Sequence, residues 1–94
     1  MTNTLHTPSD YTLSQTKRFA ISVENYAELM PVDTPAWLWD GEAHSLGLDA
    51  WREITGVDFH RNGNALLWIG SADIEVPKST IIYVSIKSVG GANQ

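Results

Sequence analysis

Cysteine is absent from the 94 residues. That excludes disulfide staples, thiolate nucleophiles and thiolate metal sites. Basic residues are scarce: six Lys and Arg stand against eleven Asp and Glu, a net charge of −5. Such a balance repels nucleic acid and anionic membranes. Long apolar runs are missing too. "ALLWIG" and "TIIYVSI" are the longest, too short to span a bilayer. The opening "MTNTLHTPSDYTLSQ" has neither the basic nor the apolar region of a signal peptide. The expectation is a soluble, cytoplasmic protein without a membrane role.

Catalytic and cofactor signatures are equally thin. His6, His44 and His60 are the only histidines, and no HxH or HExxH spacing joins them, so no metal site is expected. Ser45, His44 and Asp40 are too close in sequence for a nucleophile–base–orienter geometry, and no GxSxG elbow is present. No phosphate-binding glycine motif opens a helix. The basic residues Lys17, Arg18, Arg52 and Arg61 are too few for a nucleic-acid footprint. The expectation is a non-enzymatic protein with no cofactor and no direct nucleic-acid partner.

What the chain does have is apolar and aromatic. Hydrophobic residues make up 43 % of it and four are tryptophan, enough for one small core. The expected organisation is a flexible arm over 1–15, a compact domain over 16–88 and a loose tail over 89–94. Within the domain, "KRFAISVE" alternates as a half-buried strand. "ENYAELMP" suggests a turn or two of helix, with Asn25 as cap, Glu28 three residues on and Pro31 as a stop. "VDTPAWLWDG" suits either a short helical start at Pro35 or an extended segment with both tryptophans on one face. "SLGLDAWREITG" places Leu48, Trp51 and Ile54 at helical spacing, which predicts the main helix over about 46–55.

"VDFHRNGNALLWIG" predicts a hairpin turning at Asn62-Gly63. A two-residue loop pairs Phe59 with Leu66 and Val57 with Trp68. That register turns Trp68 to the core, and the second strand reads as central. "ADIEVP" and "TIIYVSIK" supply two more strands. The fold class is α+β: a small antiparallel sheet of four to five strands with one main helix packed on it. A small, partly open barrel is the alternative.

Between Arg18 and Arg52 lie 33 residues with six acids and no Lys or Arg. Within them stand Tyr26, Asp33, Trp37, Trp39, Asp40 and Glu42, the candidate partner-binding residues. Tyrosine and tryptophan anchor interfaces, and acidic neighbours steer a basic partner. One of Trp37 and Trp39 is expected to pack inward and the other to meet the partner. Size and acidity match the style of phage-type accessory inhibitors, anti-CRISPR and anti-restriction proteins among them, that cover a basic surface of a nucleic-acid-handling protein. Two alternatives are a homo-oligomer built through "TIIYVSIK" as an edge strand and a small-ligand binder with a Trp-lined pocket between helix and sheet.

Overall fold

The computed structural model describes residues 7–31 and 33–85. Among them, three short helices and seven strands alternate along the chain: α1 (Asp10–Thr16), β1 (Phe19–Ser22), α2 (Val23–Leu29), β2 (Ala36–Trp39), α3 (Gly41–Ser45), β3 (Trp51–Glu53), β4 (Gly56–Phe59), β5 (Asn64–Ile69), β6 (Ala72–Pro77) and β7 (Ile81–Val84). The strands form two antiparallel sheets, ordered β1-β7-β2-β3 and β4-β5-β6. The class is α+β, as the alternating strands predict, but the strands divide between two sheets and close no barrel.

The core lies between the sheets. Ala36, Ile82 and Val84 from the four-stranded sheet meet Ala65 and Leu67 from the three-stranded one, with Val23 and Ile54 alongside. Ile82, Val84, Val23 and Leu67 are fully buried. Val23 and Tyr26 stand three residues apart on α2, so one helix stripe reaches this core. The cap of α2 is Ser22, whose side chain accepts from the Asn25 amide at 3.1 Å. Asn25, the expected cap, is thus inside the helix.

The expected helix over 46–55 does not form. The chain makes α3 earlier, because Asp40 caps it by accepting from the Ala43 amide at 3.0 Å. Gly47 then ends it at φ +77°. The Gly47 amide donates to the His44 carbonyl and the Leu48 amide to the Ala43 carbonyl, satisfying the last carbonyls of the helix. Beyond this stop the Asp49 carboxylate accepts from the Trp51 amide at 3.2 Å, an Asx turn that releases Trp51 into β3.

The β4–β5 hairpin is present, but its register is displaced by one residue from the expected one. Phe59 faces Ala65, and Val57 faces Leu67. His60 closes the turn, its amide donating to the Asn64 carbonyl, and the loop is Arg61, Asn62 and Gly63. The Asn62 side chain accepts from the Asn64 amide, and Gly63 takes φ +90°. This three-residue loop with a left-handed glycine inverts the face of each β5 side chain relative to the two-residue alternative, while Val57 of β4 stays against the core. Leu67 turns inward. Trp68 turns outward over Gly56, where an added Cβ would meet Trp68 Cδ1 at 3.3 Å, and its Nε1 donates to Asp58 at 3.0 Å. The expectation that Trp68 fills the core is therefore corrected. β5 is central, as expected.

β7 is also interior, paired with β1 on one side and β2 on the other. Over Ile81–Val84 it is not an edge, so the homo-oligomer alternative loses the edge strand on which it was argued. Residues 10–15 of the expected arm lie in α1, capped by Ser9. Residues 1–6 and the tail over 89–94 fall outside the described residues. Among those described, no helix is long and apolar enough to cross a membrane.

Candidate functional site: an aromatic face

The segment "AWLW" forms β2, so its side chains alternate across the sheet. Ala36 and Leu38 turn to the core. Trp37 and Trp39 share the opposite face, both half-buried. The extended reading of this stretch is the one the fold adopts, and the expected split, one tryptophan in the core and one outside, does not occur. The ladder adds neighbours on that face: Trp51 opposite Trp39, and Tyr83 and Glu53 opposite Trp37.

The rings meet edge to face. Trp39 and Trp51 have centroids 4.8 Å apart at 71°, and Trp51 and Tyr83 lie 5.6 Å apart at 77°. These are favoured aromatic geometries. His44 of α3 sits 5.1 Å from Trp39. Tyr83 is nearly covered, at 4 % exposure, while the three indoles remain partly open. Leu46 and Leu48, in the loop leaving α3, are largely exposed.

Arg18 completes the face. Its guanidinium carbon lies 3.8 Å from the Trp37 ring centroid and 4.5 Å from that of Trp51, within cation–π range of both. The end of α1 sets this placement. Lys17 adopts φ 57°, the one positive φ outside glycine among the described residues. The Lys17 amide donates to Ser14 and the Arg18 amide to Leu13, turning the chain into β1. Burial lowers the Arg18 pKa, against a raising influence from Asp49.

The six expected site residues do not form one cluster. Trp37 and Trp39 come together on the aromatic face. Asp40 is committed to capping α3 and to an ion pair with Arg52 at 3.3 Å. Its pKa is lowered mainly by the Ala43 amide, with Arg52 adding to the effect against partial loss of hydration. Glu42 is exposed on the first turn of α3. Trp39, Asp40 and Glu42 border a cavity of about 520 Å³ with Leu38, Arg52 and Ile74. Tyr26 and Asp33 stand elsewhere, around a second cavity of about 610 Å³ that Glu53 also lines. The Tyr26 hydroxyl donates to the Thr34 carbonyl at 2.8 Å. Its pKa is raised by burial and secondarily by Asp33.

Sequence reasoning missed Arg18, Trp51 and Tyr83. It treated the stretch between Arg18 and Arg52 as free of positive charge. Both flanking arginines fold back onto it, one onto indoles and one onto Asp40. The alternation in "KRFAIS" carried a usable signal, since Arg18 and Ala20 share a face opposite to Phe19 and Ile21. Among the described residues, no group of three or more His, Asp or Glu is placed to hold a metal.

Fold and site together define a small two-sheet α+β domain with one face built for the core and the other built of tryptophan. The chain belongs to the family described as "Protein of unknown function (DUF2761)", whose model matches residues 6–81. It is also similar to Protein KleF of Escherichia coli, with 35 % identity over 63 residues. That match covers 66 % of this chain and 36 % of KleF, so the chain spans little more than a third of its curated relative. No solved structure matches.

Proposed function

We propose that this protein is a non-enzymatic docking module of the cytoplasm, and that the aromatic face binds a basic surface on another protein. One observation carries the reading: Trp37, Trp39 and Trp51 are gathered on the sheet face turned away from the core, and all three stay partly exposed. A chain short of core material gains most by burying its tryptophans. Leaving three at a surface suits a partner that buries them, since Trp, Tyr and Arg dominate binding hot spots. The net charge of −5 supports a basic partner, and the basic surface of a nucleic-acid-handling protein is one of that kind. An inhibitor that covers such a surface fits this reading.

The test is capture of a partner by immobilised protein, followed by calorimetry with the purified partner. Trp39→Ala should weaken binding about 30-fold or more, the equivalent of a hot spot of about 2 kcal/mol. Trp68→Ala, on the outer face of the other sheet, should leave binding nearly unchanged, and binding should weaken with added salt. The reverse ranking of the two variants, or indifference to salt, would overturn the reading.

A small-ligand role has narrower support, from the cavity beside Trp39 and the Asp40–Arg52 pair. A thermal-shift screen that stabilises wild type but not Ile74→Trp would favour it.

A further inference from the structure

Arg18 is the part of the aromatic face that docking by tryptophan alone leaves unexplained. A guanidinium carries five N–H donors in a planar fork. The Arg18 side chain makes no hydrogen bond among the described residues. Its Nε is buried without a partner, the one buried side-chain polar atom there in that condition. The terminal nitrogens, which are not sealed in this way, keep access to solvent. No carboxylate among the described residues pairs with it either. The ion pairs among the described residues join Arg52 to Asp40 and Lys78 to Glu24. Asp49 is near enough to act on Arg18 electrostatically, yet its carboxylate is held by the Trp51 amide.

Lying over two indoles, at 3.8 and 4.5 Å from their centroids, confines the guanidinium and removes part of its hydration. A group held in this way has already lost most of the freedom that binding would cost it. We propose that Arg18 is a preorganised carboxylate contact on the aromatic face, and that the partner places an Asp or Glu side chain on its terminal nitrogens. Planar, two-point hydrogen bonding is what the fork offers, and a carboxylate matches it. The phosphates of a nucleic acid match it as well, but eleven acids on this chain oppose a polyanion. The partner's basic surface then carries one carboxylate among its cations, and that carboxylate sets the register of docking.

This proposal rests on the docking reading for the partner, but the preference of Arg18 is measurable on the protein alone. The four indole N–H signals in 1H–15N NMR spectra report on it during titration with sodium acetate. Sodium chloride at matched ionic strength and sodium phosphate serve as parallel arms. The expected result is a saturable, acetate-specific shift of the Trp37 and Trp51 signals, with Trp68 unmoved. Arg18→Gln should weaken the response about tenfold or more, the loss of one charge-assisted contact. Arg18→Lys, which keeps the charge without the fork, should respond more weakly than wild type. A wild type that treats acetate like chloride overturns the proposal, as does a larger response to phosphate than to acetate. If Arg18→Gln fails to fold, an undiminished acetate response in Arg18→Lys overturns it. Silence toward acetate with partner capture intact removes the Arg18 assignment alone. An acetate response with capture indifferent to Trp39 removes the docking reading alone.

Discussion

The one-residue difference in hairpin register can be tested by two adjacent leucines. Leu67 is fully buried between the sheets, on a strand flanked by β4 and β6. Leu66 faces the other way, opposite Asp58 and Glu75, and is only half-buried. Truncating Leu67 removes buried methyl groups and opens a cavity that a central strand cannot collapse. The cost is about 3 kcal/mol. For a domain whose whole stability is about 5–10 kcal/mol, that is roughly 30–60 % of the total. With a urea m-value of about 1–1.5 kcal/mol per molar for a chain this small, the midpoint of Leu67→Ala should fall by about 2–3 M. Leu66→Ala should cost under about 1 kcal/mol and shift the midpoint by less than about 1 M. Equilibrium unfolding followed by far-UV circular dichroism measures both. The two-residue loop would point Leu66 inward and Leu67 outward. A larger loss from Leu66→Ala than from Leu67→Ala would therefore refute the register and the placement of Trp68 with it.

Gly63→Ala meets nothing within 4 Å but must hold φ +90°. It should cost about 1 kcal/mol through the backbone alone, read as a lower urea midpoint with an unchanged spectrum. Asp40 has a folded-state pKa below its ordinary value of 3.8. Its contribution is therefore present above that pH and lost as pH falls through the folded value. Asp40→Asn keeps an acceptor for the Ala43 amide but removes the charge. Its unfolding midpoint should fall less than that of wild type between pH 5 and about pH 2; an equal fall would deny Asp40 this role.

Much of the strand content was legible because alternation is a local signal. β1, β2, β4, β5, β6 and β7 all lie in segments read as extended or as possibly extended. The failures arose where two local signals competed. Leu48, Trp51 and Ile54 sit at helical spacing, but Gly47 and Asp49 are both stop signals, one as a left-handed cap and one as an Asx turn. The strand that follows gains ladder bonds from β2 that no spacing argument sees. At the hairpin, Asn62-Gly63 fits a two-residue turn, but it fits equally as the last two positions of a three-residue loop. The choice is made across the sheets, where Ala65 and Leu67 fill a thin core and Trp68 needs the space over Gly56. The site was half legible. Trp37 and Trp39 could be picked out, but their shared face depended on β2 being extended. Arg18 reaches them only because β7 brings β1 into the same sheet.

That last connection governs how the molecule is assembled. β1 and β2 are consecutive strands in the sequence, yet they do not pair with each other. The strand that joins them, β7, pairs Val84 with both Phe19 and Ala36, the wider of the two pairings closing about 65 residues of chain. The four-stranded sheet is thus closed by its most distant member. The placement of Arg18 over Trp37 and Trp51 belongs to the same closure, and so does the burial of Tyr83. Folding that must wait for so long-range a contact is slow, in the millisecond-to-second range. The aromatic face should appear in a single late step, all of it or none.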